Sequence, residues 1–212
     1  MIKKTILICV VAFLSTTAYA QKADKNGWIP LWDGETLDGW KASENPESFS
    51  IEDGVIKVDG PRAHLFYVGP VADHDFKNFE FKAQVKTGPK ANSGIFFHTE
   101  FQEEGWPAKG YEIQVNQSHG DWRKTGSVYS FDDVKEVYVD DNEWYTQHFI
   151  VEGDKVTVKI NGKTVVEYDE SEDKDRSADA GEKKIGRGTF ALQAHDPESV
   201  VYFKDIMVKP LP

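Results

Sequence analysis

Three short segments of this chain set polar, proton-transferring side chains between apolar neighbours. In Gly94-Ile95-Phe96-Phe97-His98, an extended backbone places Phe96 and His98 on one face and Ile95 and Phe97 on the other. In Tyr111-Glu112-Ile113-Gln114-Val115, Glu112 and Gln114 oppose Tyr111, Ile113 and Val115. In Phe190-Ala191-Leu192-Gln193-Ala194-His195, Gln193 and His195 oppose Phe190, Leu192 and Ala194. The partition follows because successive side chains of a strand point to opposite faces. If these strands share a sheet, its face away from the core gathers two imidazoles, a carboxylate and two amides. Such groups serve as general acid and base, bind hydroxyls, or hold a metal through nitrogen and oxygen. Any one of them could be an ordinary solvent-facing side chain; the same partition on all three argues for a shared site.

A fourth segment, Lys124-Thr125-Gly126-Ser127-Val128-Tyr129, follows a polar loop and places Thr125, Ser127 and Tyr129 opposite Val128. Tyr129 could donate to a developing oxyanion and Lys124 could neutralise one. Trp106 and Trp122 lie in loops rich in Gly, Pro and charge, where an indole can form a stacking platform for the apolar face of a sugar ring. Trp28, Trp32, Trp40 and Trp144 are expected in the core. There is no Gly-rich phosphate loop, no His-Glu-x-x-His, no Gly-x-Ser-x-Gly and no Glu-x-Asp-x-x-Glu run. Ordinary glycoside hydrolysis by paired carboxylates is therefore not indicated.

The elements that must position these groups read as strands. Phe79, Phe81, Ala83 and Val85 alternate strictly with Glu80, Lys82, Gln84 and Lys86, a half-buried strand of period two. Val156 to Ile160 alternates in the same way and meets Asn161-Gly162, a strong hairpin signal, before Val165-Val166 resumes the apolar run. Glu52-Asp53-Gly54 joins Phe49–Ile51 to Val55–Val58 similarly. Further strands are expected at 95–101, 111–115, 127–131, 144–151, 185–194 and 200–208. No window shows the apolar repeat of a helix. Some twelve short strands imply an all-β, two-sheet antiparallel jelly-roll sandwich, with a cleft on one curved sheet. Aromatic residues at 13% suit such a β-rich chain.

The 212 residues suffice for one sizeable domain. The net charge of −11 disfavours nucleic acid, which requires a basic surface. Residues 1–20 have the form of a signal peptide: a basic start at Lys3-Lys4, a short apolar run from Thr5 to Leu14, and Ala18-Tyr19-Ala20 for cleavage. That run of about ten residues is half of what a spanning helix needs. Cleavage would leave a domain over residues 21–212 with no stable membrane anchor, and loss of Lys3 and Lys4 takes the charge from −11 to −13. It would also remove Cys9, the chain's one cysteine, so the product would have no disulfide and no thiol ligand. A periplasmic or secreted protein is expected. The block from Asp169 to Lys184, dense in both charges, reads as a solvated loop, and nothing implies a protein partner.

The motifs together resemble the 3-keto-disaccharide hydrolase domain family, common in exported proteins of Bacteroidetes. Trp28-Ile29-Pro30-Leu31-Trp32-Asp33-Gly34-Glu35-Thr36-Leu37-Asp38-Gly39-Trp40 is similar to its opening pattern. Asn92-Ser93-Gly94-Ile95-Phe96-Phe97, Gly110-Tyr111-Glu112-Ile113-Gln114 and Lys124-Thr125-Gly126-Ser127-Val128-Tyr129 resemble motifs that follow in order. Trp144, Asn161-Gly162, Leu192-Gln193-Ala194-His195 and Val201-Tyr202-Phe203-Lys204-Asp205-Ile206 complete the series. Members often carry Arg after the Phe-Phe pair, where this chain has His98. The resemblance implies a concanavalin- or laminarinase-like jelly roll acting on sugars oxidised to a ketone at C3. The ketone acidifies C2–H, so a base can drive elimination of the C1 aglycone, and hydration then completes a net hydrolysis. For this chemistry Glu112 or His195 would be the base. The oxyanion would be held by a divalent metal on His98, Glu112 and His195, or by Lys124 and Tyr129. His98, Gln114, Gln193, Trp106, Trp122 and Ser127 would contact substrate. The alternative is a non-catalytic carbohydrate-binding module on the same sandwich.

Overall fold

The computed structural model describes residues 22–174 and 181–212. The expected signal segment and part of the charged block lie outside them. Thirteen strands are described: β1 (Ile29–Pro30), β2 (Trp40–Ala42), β3 (Phe49–Glu52), β4 (Val55–Val58), β5 (Ala63–Tyr67), β6 (Phe79–Thr87), β7 (Ser93–Thr99), β8 (Tyr111–Val115), β9 (Tyr145–Glu152), β10 (Lys155–Ile160), β11 (Lys163–Asp169), β12 (Thr189–Ala194) and β13 (Val201–Pro210). Three short 3-10 turns are the helical elements among the described residues. None of them is long and apolar enough to cross a membrane.

The strands form two antiparallel sheets. The larger runs β11-β10-β9-β6-β13-β4-β3, with β1 also pairing β13; the smaller runs β2-β5-β12-β7-β8. Their facing sides make one aromatic core. Phe81 stacks on Phe149 at 4.9 Å, and Phe79 and Phe190 meet edge to face at 4.9 Å. Strict alternation along β6 drives this arrangement, with Phe79, Phe81, Ala83 and Val85 buried and the residues between them half-exposed. Two tight hairpins fall where Asn-Gly and Asp-Gly supply positive φ at both turn positions: Asn161 (50°) with Gly162 (81°), and Asp53 (49°) with Gly54 (73°).

Four departures from the sequence reading have local causes. Strand β5 was not expected, because all five of its residues are buried. Both of its faces are covered, so no alternation marks it. Residues 127–131 form a turn with isolated bridges from Val128 to Ile113 and Asp132 rather than a strand; Gly126 and Ser130 have φ of 96° and 68°. The strand expected from residue 185 begins at Thr189. Trp28 and Trp144 are half-buried rather than core. They lie under Lys82 (4.0 Å) and Lys204 (4.3 Å) on the outer side of the larger sheet, where the lysine stems cover apolar surface.

Candidate active site

The outer side of the smaller sheet carries the site, and strand register builds it in rows. Phe66, Ala191, Phe96 and Glu112 stand opposite one another across β5, β12, β7 and β8. The 127–131 turn extends that row, since Tyr129 N–H donates to the Glu112 carbonyl at 3.0 Å. The adjacent row holds His64 opposite Gln193 and Gly94 opposite Gln114. Phe66, Phe96 and Ala191 form a small apolar floor, separate from the main core, with Phe101 packed against it.

Phe96 of this cluster lines a cavity of about 490 Å³. Six of the residues singled out from the sequence line it: Glu112, Gln114, Gln193, His195, Tyr129 and Trp106. Asn92, Phe96 and Lys183 line it as well. Asn92 opens the Asn92-Ser93-Gly94 motif. Lys183 lies in the charged block read as a solvated loop, and nothing in its local sequence separates it from its neighbours.

Glu112 is the unusual group. Burial pushes its carboxyl up to about 7, against the nearby Lys183 charge and the Gln193 hydrogen bond, which favour the ionised form. Gln193 Nε2 donates to Glu112 Oε1 at 3.2 Å. The carboxyl occupies space that only glycine leaves open, since a Cβ on Gly94 would fall 2.1 Å from Glu112 Oε1. Gln114 Nε2 donates to Asn92 Oδ1 at 2.7 Å. The Oε1 atoms of Gln114 and Gln193 are buried acceptors with no hydrogen-bond partner among the described residues, which suits them to receive ligand hydroxyls.

His195 Nδ1 meets Asp196 Oδ2 at 2.7 Å. Burial works against the Asp196 carboxylate, but hydrogen bonds from His195, Glu198 N–H and Ser199 hold its pKa low. The ring is thereby oriented. Trp106 stands beside it, with ring centres 5.2 Å apart. Arg62 lies 5.3 Å from the Trp106 ring and pairs with Glu44 at 2.9 Å; Glu44 in turn accepts from Gly105 N–H at 2.9 Å. Behind them His64 packs edge-on to Trp106 at 5.7 Å, and burial lowers its pKa to about 3, so it is neutral. Burial is also the main cause raising the Tyr129 pKa, with the Asp121 charge next. Its hydroxyl donates to Asp121 Oδ2 at 3.2 Å.

Four expected site residues are elsewhere. His98 sits at a bulge where the β12–β7 register shifts, with φ of 53°. The extra residue reverses its parity and turns the ring to the core side, against Phe79 and Phe97. Both ring nitrogens are engaged by backbone, Nε2 with the Lys77 carbonyl at 2.9 Å and Nδ1 with Gly186 N–H at 3.0 Å. The metal set of His98, Glu112 and His195 is consequently not assembled, and His98 does not line the cavity. Lys124 folds back onto its own loop, donating to the His119 and Asp121 carbonyls at 2.9 Å each. Ser127 Oγ donates to the Lys124 carbonyl at 2.8 Å and accepts from Val134 N–H at 2.9 Å, so it braces the turn. Trp122 is about half exposed, packs beside Arg123 and Lys135, and does not line the cavity.

Comparison with known proteins places this geometry in context. Residues 27–209 match the family described as the 3-keto-alpha-glucoside-1,2-lyase-like domain. A relative from Bacteroides thetaiotaomicron, named 3-keto-disaccharide hydrolase, is 37% identical over 81 residues, which are 35% of this chain and 28% of that protein. A crystal structure from Parabacteroides distasonis, provisionally assigned as a glycosyl hydrolase, superposes with a TM-score of 0.74 at 26% identity, covering 88% of this chain and 95% of that one. The family GH16 endo-beta-1,3(4)-glucanase SCLam shares the fold, with a TM-score of 0.57 at 14% identity over 89% of this chain and 93% of that one.

Proposed function

Because this chain belongs to the 3-keto-alpha-glucoside-1,2-lyase-like domain family, we propose that it cleaves 3-keto-glycosides, 3-keto-disaccharides among them, by elimination followed by hydration. The observation that carries the reading is a single carboxyl on the cavity wall, Glu112, with its pKa raised to about 7. No second carboxylate lines the cavity among the described residues. Direct hydrolysis at C1 calls for a pair; removing a proton beside a ketone calls for one base poised near neutrality.

Glu112 takes the C2 proton, and the C–H electron pair forms C2=C3 as the C3 carbonyl becomes an enolate. The enolate collapses back to the ketone, C1=C2 forms, and the C1–O bond breaks. The aglycone oxygen receives a proton from His195, whose ring Asp196 orients. Water then adds hydroxyl to C1 and hydrogen to C2. The two free acceptors of Gln114 and Gln193 receive sugar hydroxyls, and Trp106 offers a stacking surface. Export to the periplasm or medium is part of the proposal and is supported by the pattern of residues 1–20.

The test is incubation with a 3-keto-α-disaccharide and with its unoxidised parent in deuterated water. Cleavage of the keto sugar alone, with deuterium at C2 of the product, is expected. Full cleavage with C2 hydrogen retained means direct hydrolysis, and saturable binding of sugar without turnover means a binding module.

A further inference from the structure

The enolate oxygen at C3 needs a positive partner while Glu112 removes the proton at C2, and Lys124, the sequence candidate, is committed to its own loop. We propose that Lys183 is that partner: it is the lysine that the 181–188 segment delivers to the wall of the cavity that Glu112 also lines, and it stabilises the oxyanion of a 3-keto sugar. This assignment rests on the elimination reading above.

The delivery is a matter of anchoring. On one side of Lys183, the Glu182 carbonyl accepts from Gly110 N–H at 3.2 Å, just before β8. On the other, Ile185 N–H donates to Glu170 Oε2 at 2.5 Å, and Gly186 N–H donates to His98 Nδ1 at 3.0 Å. The His98 ring is fixed in turn by the Lys77 carbonyl. His98 can accept from Gly186 only while Nδ1 is unprotonated, and burial lowers its pKa to about 4, which keeps it so at neutral pH. His98 thus acts as a positioning residue for the segment that carries Lys183. Lys183 is the cavity's one Lys or Arg among the described residues. Tyr129, the other oxyanion candidate, already gives its proton to Asp121. The Lys183 charge also favours the ionised form of Glu112, as expected for groups serving adjacent carbons. An ammonium offers three donors and a full charge inside a partly desolvated cavity, where such stabilisation is largest.

The step is electrostatic, with no bond between Lys183 and the sugar. It is tested with p-nitrophenyl 3-keto-α-glucoside, whose good leaving group needs little help from an acid and so isolates enolate formation. Lys183→Met should lower kcat by about 10²-fold or more, the usual loss for one oxyanion donor, and slow deuterium exchange at C2 in parallel. Lys183→Arg should recover at least tenfold of that loss by restoring the charge. Lys184→Met, an exposed neighbour carrying the same charge, should leave kcat unchanged. Lys183→Met within threefold of wild type, with wild type active, overturns the assignment and leaves the elimination reading standing. Borohydride reduction during turnover that adds the mass of the sugar to Lys183 overturns it in favour of an iminium. Wild type inactive on the keto sugar removes both.

Discussion

Gln193 Nε2 reaches Glu112 Oε1 at 3.2 Å across the whole width of strand β7, over the backbone of Gly94. Two residues 81 positions apart in sequence thus share one hydrogen bond because the strand between them lacks a side chain at the crossing point. The contact favours the ionised carboxyl, whereas burial favours the neutral one, and burial dominates.

The pH profile should report that balance. A base must be ionised, so kcat/KM on a 3-keto-glycoside should rise with pH through about 7. Gln193→Leu removes a hydrogen bond that favours the anion and should move this limb to higher pH. A profile unchanged by Gln193→Leu would remove Gln193 as a tuner of Glu112.

Glu112→Gln and His195→Ala should each lower kcat by about 10²- to 10⁴-fold, the usual range for general acid–base groups. With a p-nitrophenyl aglycone the His195→Ala loss should shrink, because a good leaving group needs little protonation. Equal losses on good and poor leaving groups would count against His195 as the acid.

The same carboxyl makes a stability prediction. Its folded pKa of about 7 lies above the ordinary glutamate value of 4.5, so between those pH values the folded state holds a proton that the unfolded chain has released. Stability therefore falls as pH rises through this window, and the full cost is present above about 7. Glu112→Gln should be more stable than wild type at pH 8, by up to roughly 3 kcal/mol at ~1.4 kcal/mol per pKa unit. The gap should close toward pH 4. Urea unfolding at both pH values measures it, and wild type more stable than Glu112→Gln at pH 8 would contradict the burial argument.

Gly94→Ala should disable the site while the sandwich persists. The new methyl would overlap Glu112 Oε1, and the carboxyl, held on a side chain, gives way before two paired strands do. The expected outcome is a kcat loss of about tenfold or more with an unchanged circular dichroism spectrum; wild-type kcat would show that the carboxyl need not sit over residue 94.

Trp106→Ala should raise KM about tenfold with little change in kcat, the signature of lost uniform binding. Glu44→Gln weakens the pair that holds Arg62 beside the indole and should shift KM in the same direction by a smaller factor. A loss confined to kcat would place Trp106 in the chemistry rather than in binding.

Much of the site was legible because a strand's side-chain period of two is a local property. Tyr111–Val115 and Phe190–His195 needed only their own alternation to put Glu112, Gln114, Gln193 and His195 on the outer face, and the antiparallel sheets brought them together. The same rule failed at His98, where one extra residue in β7 reverses parity, a shift visible only in the pairing with β12. It failed at β5 because burial on both faces erases the pattern that marks a strand.

What the sequence by itself determined is therefore the strand-rich architecture, the order of motifs that marks the family, and the facing of residues within regular strands. Tertiary structure decided which polar residues meet. Lys183 enters the cavity only because Gly110, Glu170 and His98, each remote in sequence, hold the backbone around it, whereas Lys124, beside a recognisable motif, is consumed by carbonyls of its own loop. Glu112 owes its chemistry to the same cause. A carboxyl in a sequence carries no pKa near 7; the low-dielectric surroundings that raise it are assembled from strands that meet only when the sheet forms.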